Sequence, residues 1–108
     1  MKIYVNTYNC IEGFHRWEDA KGSMSYLASR HRHLFVIRAS FEVSHGDREI
    51  EINDMQNRIE NYLHLKYGSP CEFKGMSCEH IAQELMEKFN MTMCKVLEDG
   101  YGGATLTR

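Results

Sequence analysis

The sequence has no long apolar run, almost no proline and no excess of charge of either sign, and each absence excludes a class of protein. No hydrophobic stretch approaches the roughly 20 residues that a membrane-spanning helix requires. The chain has 13 Lys and Arg against 15 Asp and Glu, a net charge of −2, so it has no general attraction for nucleic acid or anionic membranes. With 108 residues, one proline and no internal repeat, we expect a single domain spanning residues 1–108.

Cysteine usage argues against two further kinds of site. The four cysteines are scattered and no pair has C-x-x-C spacing, which disfavours a four-cysteine zinc site and a disulfide framework. We interpret them as reduced thiols. The chain also begins like a strand, without the apolar core of a signal peptide. Both observations favour a cytoplasmic protein.

The most informative stretch is a pair of histidines, His31 and His33, at the start of an apolar run. In an extended strand, residues i and i+2 point to the same face, about 7 Å apart. Two imidazoles held in this way can share one divalent metal if a neighbouring strand supplies a third ligand. The alternative is a pair of surface or cation-paired histidines, which is the commoner fate of an isolated His-x-His.

Hydrophobic periodicity predicts the order of elements. Period-2 alternation predicts strands, and stripes at i, i+4 and i+7 predict helices whose apolar faces belong to the core. The first strand can continue to His15 with a bulge at Gly13, and residues 18–25 are interpreted as a loop. We predict strands at residues 2–9, 31–43, 48–52, 93–98 and 104–107, one helix from Asn53 or Asp54 to 67, and another from the cap Ser77 to 90. This order predicts an α+β fold with an antiparallel sheet and both helices on one face.

Five short motifs occur in the order and near the spacing of a known family. They are Phe14-His15-Arg16, His31-Arg32-His33, Ile52-Asn53-Asp54-Met55, Met76-Ser77-Cys78-Glu79-His80-Ile81-Ala82 and Leu97-Glu98-Asp99. With this order of elements, the chain resembles the 6-pyruvoyl-tetrahydropterin synthase family, which includes the 6-carboxy-tetrahydropterin synthase of queuosine-type deazapurine biosynthesis. The resemblance implies a β-β-α-α-β-β tunnelling fold (T-fold). It also implies a homo-oligomer, a hexamer, whose sheets join into a barrel and whose pterin-like ligands bind between subunits.

The resemblance also implies roles for individual residues. His15, His31 and His33 match the family's zinc ligands, and three neutral imidazoles with one open position are typical of a catalytic zinc site. Such a zinc ion holds substrate oxygens and acts as a Lewis acid. Glu98 matches the acid that anchors the N–H/NH2 edge of the ring; the alternative is an exposed turn acid. Ser77 is a helix cap first, and its hydroxyl is a secondary candidate for ligand contact.

The chain departs from the family where proton transfer takes place. The family has a cysteine shortly before the His-x-His, whereas this sequence has Ser25 and Leu27 in that region. Leu63 replaces the aspartate that pairs with a histidine after the first helix, so the matching His64 has no carboxylate partner in this motif. A catalytic base would have to come from His64, or from the two candidates Tyr26 and Cys10.

Two kinds of function therefore stay open. The first is a binding protein for a pterin or purine-like nucleotide, such as a carrier or a protein that sequesters a nucleotide signal. The second is an active zinc-dependent lyase or synthase acting on dihydroneopterin triphosphate. The missing cysteine favours binding, and the retained histidines favour chemistry.

Basic and aromatic residues near the histidines add candidate ligand contacts. Arg16, Arg30 and Arg32 are candidates for holding phosphates, and Trp17 is a candidate for stacking on a ring. The alternatives are solvated loop charge for the arginines and packing at a barrel edge for the tryptophan. Nucleic-acid binding through residues 30–33 is disfavoured because the basic run is short and the chain is acidic.

Overall fold

The structure, a computed structural model that describes residues 1–108, is built around one five-stranded sheet. The elements in chain order are β1 (Ile3–His15), a 3-10 helix (Gly22–Ala28), β2 (His31–Val43), α1 (Ile52–Tyr67), β3 (Cys71–Lys74), α2 (Cys78–Phe89), β4 (Met93–Glu98) and β5 (Gly102–Thr107). The strand order is β3-β1-β2-β4-β5. All neighbouring strands are antiparallel except β1 and β3, which are parallel. The predicted α+β class is confirmed, but the sheet is mixed and not antiparallel throughout.

The strand β3 is the element that the predicted order lacks. Its buried residues Cys71 and Phe73 alternate with Glu72 and Lys74, but a run of four residues is too short for periodicity to distinguish it from a loop. The chain leaves β1, crosses through β2 and α1, and returns beside β1 in the same direction. A crossover connection of this kind produces a parallel pair.

The predicted strand at residues 48–52 is wrong. Residues 48–51 are irregular and Ile52 is the first residue of α1, while Ile50 packs against the core from the loop. The cap of α1 is Glu51, not Asn53 or Asp54, because the Glu51 carboxylate accepts hydrogen bonds from the backbone N–H groups of Asp54 at 3.0 Å and Asn53 at 3.2 Å. A carboxylate at this position satisfies N–H groups that the first turn of a helix leaves unpaired. Part of the predicted loop at 18–25 also forms the 3-10 helix.

The predicted core faces are confirmed. The inward residues of β2 are buried at alternate positions, and the stripes of α1 and α2 join them in one cluster. Both helices therefore pack on the same face of the sheet. Neither helix has the length and apolar character needed to cross a membrane. The largest fully buried side chains include Phe35, Phe41, Phe73, Ile59, Leu63, Ile81 and Leu85.

Gly13 is not a bulge in the pairing of β1 with β2. It lies in register opposite His33, and the space above it is filled by aromatic rings. A Cβ atom at this position would lie 2.7 Å from Cε2 of Phe73 and 3.1 Å from Cε2 of Phe35. The glycine is needed for this close packing beneath the histidine end of the sheet.

We expect Gly13→Ala to lower the free energy of unfolding by about 1–3 kcal/mol, the usual cost of overpacking a core. Chemical denaturation of the variant and the parent protein measures this difference. Gly75→Ala is the matched control, because a Cβ there would meet nothing within 4 Å. Equal stability of Gly13→Ala and Gly75→Ala would contradict the packing role of Gly13.

Candidate metal centre

The register of β1 with β2 brings three histidines together at one end of the sheet. His15 lies directly opposite His31, and His33 lies two residues further along β2 on the same face. Their candidate ligand nitrogens all lie within 4.8 Å of one another. The prediction that these three side chains are close enough to bind one metal ion is therefore confirmed.

Hydrogen bonds to backbone carbonyls orient two of the imidazoles. Nδ1 of His15 donates to the carbonyl oxygen of Met76 at 2.9 Å, and Nδ1 of His31 donates to the carbonyl oxygen of Ser29 at 2.8 Å. A carbonyl oxygen only accepts, so Nδ1 must carry the proton in both rings. In the neutral ring, Nε2 is then left with the lone pair that a metal requires.

The third imidazole is oriented by a carboxylate. Nδ1 of His33 donates to Oδ2 of Asp99 at 2.7 Å, and the other oxygen of Asp99 accepts the backbone N–H of Leu34 at 2.8 Å. The Leu34 N–H and then the His33 contact lower the pKa of Asp99, so Asp99 is an ionised acceptor at neutral pH. Carboxylate–imidazole pairs of this kind are typical of the outer shell of metal sites.

Nε2 of His33 shows that these residues fit a metal. This nitrogen is buried and has no hydrogen-bond partner. A buried acceptor without a partner costs about 1–3 kcal/mol. A cation bound among the three Nε2 atoms would remove that cost.

Asp99 is a site residue that sequence reasoning missed: it belongs to the Leu97-Glu98-Asp99 motif, but only Glu98 was given a role there. Its backbone has φ +55°, a left-handed conformation in which Asp is enriched among non-glycine residues. This turn after β4 directs the carboxylate back toward β2. The sequence does show an acid just before Gly100 at the end of a predicted strand, which indicates a turn. It does not show that the carboxylate contacts His33 and Leu34 on β2.

We expect Asp99→Asn to weaken metal binding by about 10–100-fold, the usual cost of losing an outer-shell partner. Leu34 and His33 donate to different oxygens of Asp99, and in asparagine one of these two positions becomes an NH2 group that cannot accept. A competition titration with a chromophoric chelator measures the affinity. Asp47→Asn in an exposed loop is the control and should bind metal like the parent protein. An unchanged affinity for Asp99→Asn would show that the carboxylate does not support the site.

A cavity of about 290 Å³ adjoins the histidines, near the lower end of the roughly 300–1,000 Å³ typical of small-molecule sites. It lies between the end of β1, the start of α2 and the start of β5. His15 and His31 contribute to its wall. Four residues that were predicted to contact ligand also line it: Arg16, Trp17, Ser77 and Glu98.

Glu98 is the last residue of β4, and its side chain lies against the histidines. Its Oε2 is 3.0 Å from Nε2 of His15, and its Oε1 is 3.6 Å from Nε2 of His33. Burial lowers the pKa of His15, although the Met76 carbonyl and Glu98 act in the opposite direction. The Glu98 carboxylate is thus part of the site and not a separate turn acid.

Two residues at the start of α2 complete the cavity wall. The Ser77 hydroxyl accepts the backbone N–H of His80 at 3.2 Å, which confirms Ser77 as the helix cap and leaves its own O–H free to donate. Cys78, one of the four cysteines interpreted as reduced thiols, also lines the cavity. Burial, assisted by Glu98, raises the pKa of the Cys78 thiol to about 12, so the thiol is protonated at neutral pH.

Two of the predicted phosphate ligands lie away from the cavity. Arg32 is exposed and forms an ion pair with Glu12 on the neighbouring strand. Arg30 pairs with Glu72 and stacks on the ring of Phe14 at 3.6 Å. Of the three arginines, only Arg16 lines the cavity.

The three candidate bases do not line the cavity either. His64 is half-buried on α1, Tyr26 is exposed on the 3-10 helix, and Cys10 is exposed on β1 with its Sγ 3.4 Å from the hydroxyl of Tyr8. Cys10 and Ile11 are adjacent on β1, so their side chains lie on opposite faces of the sheet. The side chain of Ile11 is buried on the face that packs against the helices, and the side chain of Cys10 lies on the other face. Their catalytic roles stay predictions, and a single chain does not bring them to the metal centre.

The fold and site define an α+β protein with a mixed five-stranded sheet and a three-histidine cluster able to hold a metal ion. No protein-family model matches the chain, and no curated protein matches it.

Proposed function

We propose that this protein binds a pterin or purine-like nucleotide beside a zinc ion held by His15, His31 and His33. The observation that carries the proposal is the convergence of three imidazoles whose Nδ1 atoms all donate outward. This leaves the Nε2 lone pair of each ring available, in a cluster whose candidate ligand nitrogens lie within 4.8 Å of one another, beside a cavity of about 290 Å³. The three-histidine match to the tetrahydropterin synthase family points to the same site.

Zinc is the metal that the donor set favours. Neutral imidazole is a common zinc ligand, with Zn–N bonds of about 2.0–2.1 Å, and three such ligands are found in catalytic zinc sites. When bound, zinc would act as a Lewis acid toward an oxygen of the ligand. The protein's own contribution is to fix the orientation of each imidazole.

The cavity offers contacts for the ring and for a phosphate of a nucleotide. Glu98 can accept two hydrogen bonds from the N–H/NH2 edge of a ring, a charge-assisted bidentate contact. The Trp17 side chain is 53% exposed at the cavity and can stack on the ring face. Arg16, whose present partner Glu18 is 3.6 Å away, can turn toward a phosphate.

Binding is favoured over catalysis by the state of the cavity's thiol. Cys78 is protonated at neutral pH and is therefore a poor nucleophile and base. The histidine set nevertheless supports the second candidate, a zinc-dependent lyase or synthase, although none of its three candidate bases lines the cavity. Turnover of dihydroneopterin triphosphate would establish that alternative over binding alone.

We also propose that several copies join their sheets in a tunnelling-fold barrel. The sheet ends at β3 and β5, and a strand at the end of a sheet has one unpaired edge. Gly102 and Gly103 of β5 line the cavity, so a copy that pairs with β5 would lie next to the site. Analytical ultracentrifugation should show an oligomer, and the hexamer is the expected state; a monomer would contradict the barrel.

Zinc analysis and ligand binding test the proposal together. We expect about one zinc per chain, and calorimetric binding of a ring triphosphate such as dihydroneopterin triphosphate or GTP. Trp17→Ala should weaken ring binding by about 1–3 kcal/mol, the range for base–aromatic stacking, without changing the zinc content. Tyr4→Ala is the control, since Tyr4 is similarly exposed at 47% but lies outside the cavity. A protein that takes up neither zinc nor ring ligand would contradict the proposal.

A further inference from the structure

We infer that Glu98 is a fourth protein ligand of the metal, so that the site is closed by the protein itself when no ring is bound. The inference rests on the proposed three-histidine metal site. It changes the role of Glu98, which becomes a group shared between the metal and the ring.

The first reason is that acceptors face one another around Glu98. Its carboxylate oxygens lie 3.0 Å from Nε2 of His15 and 3.6 Å from Nε2 of His33. In both rings the Nδ1 proton is used elsewhere, so each neutral Nε2 presents a lone pair. A carboxylate held against two lone pairs is repelled unless a cation lies between them.

A proton does not account for the arrangement as well as a metal does. One proton can bridge only one of the two contacts between Glu98 and the imidazoles. The ring centroids of the three imidazoles lie 4.6, 5.0 and 5.2 Å apart, so protonating more than one would place like charges close together. A divalent metal can engage both contacts and His31 at once.

The closest contact of Glu98 also suits a tetrahedral site. With metal–ligand bonds of about 2.0–2.1 Å, the ligand atoms of a tetrahedral site lie about 3.3 Å apart. Oε2 of Glu98 lies 3.0 Å from Nε2 of His15, close to this value. Its other oxygen, Oε1, lies 3.6 Å from Nε2 of His33, which is buried and has no hydrogen-bond partner.

A closed site makes metal coordination depend on the ring. A ring edge that hydrogen-bonds to Glu98 would compete with the metal for the same carboxylate. With a ring bound, His15, His31 and His33 would hold the metal without Glu98. Binding of the ring and coordination by Glu98 are thus competing events, and their effects on each other are reciprocal.

Cobalt(II) substitution tests the inference without any ring ligand. Glu98→Gln keeps the shape of the side chain and removes its charge, and Glu79→Gln is the matched control because Glu79 is exposed and lines the same cavity. We expect Glu98→Gln to weaken cobalt binding by about 100-fold, since even outer-shell partners are worth about 10–100-fold. Glu79→Gln should bind cobalt like the parent protein.

Azide distinguishes a closed site from an open one. The visible spectrum of the cobalt-loaded parent protein and of Glu79→Gln should not change on addition of azide, whereas that of Glu98→Gln should change as azide enters the vacated position. Glu98→Asp draws the carboxylate back by one methylene and should also become azide-sensitive. This second variant replaces Glu98→Gln in the test if circular dichroism shows that Glu98→Gln does not fold. A parent protein that responds to azide, or variants at Glu98 that match the parent in affinity and spectrum, would overturn the inference. Failure of the parent protein to bind cobalt or zinc would overturn the proposed metal site itself.

Discussion

His31→Ala is expected to lose stoichiometric zinc and to bind it more than about 100-fold more weakly, because a direct ligand contributes more than an outer-shell partner worth about 10–100-fold. Only two imidazoles would then converge on the site, and neither can occupy the missing position because Met76 and Asp99 hold them in place. Elemental analysis of the purified protein measures the zinc content, and competition with a chelator measures the affinity.

His31 is the most suitable of the three ligands to remove. It lies at the first residue of β2 and is half-buried, whereas His15 is 8% exposed and packs within the fold. His45→Ala removes a histidine from the exposed loop after β2 and should leave zinc binding unchanged. If His31→Ala retained the parent's zinc content, the three-histidine centre would be wrong.

Phe35→Ala is expected to lower the free energy of unfolding by about 3–5 kcal/mol, the usual cost of truncating a buried phenylalanine. Phe35 is fully buried. Its ring centroid lies 5.2 Å from that of His15, 5.6 Å from that of His33 and 5.1 Å from that of Phe73. Its loss would leave a cavity directly beneath the imidazoles, so the same side chain supports the core and the metal centre.

Urea denaturation of the metal-free protein, followed by circular dichroism, measures this loss of stability. Metal-free protein is used because bound metal would add its own binding free energy to the stability of the folded state. Leu65→Ala is the control, because Leu65 is 89% exposed on α1 and surface changes are usually within about 0.5 kcal/mol. A Phe35→Ala variant as stable as Leu65→Ala would contradict the packing around the histidines.

The long elements were predictable because their periodicity extends over many residues. On β2, alternate residues from Phe35 to Val43 are apolar, and burial of one sheet face requires that pattern. On α1, Met55, Ile59 and Leu63 recur at the helical spacing and are buried. Signals of this length arise from the packing of a whole face, so they survive local exceptions.

Short elements and ends were not predictable from local pattern. The four residues of β3 are held in the sheet by pairing with β1, which is distant in sequence. The cap of α1 depends on the Glu51 side chain, which accepts a hydrogen bond from the backbone N–H of Asp54 in the first turn of the helix. The alternation at residues 48–52 resembles a strand, but this segment does not join the five-stranded sheet, and local pattern does not reveal whether a segment finds a pairing partner.

The sequence by itself determined that His31 and His33 share a face, since the period of a strand is two residues. It also marked His15 and Glu98 through motifs. Only the tertiary structure decided that β1 pairs with β2 in the register that places His15 opposite His31, and that Asp99 and Glu98 approach from β4. Metal ligation depends on distances of a few ångströms between side chains from different strands, and those distances are set by strand register and a single left-handed turn residue, which no local pattern encodes.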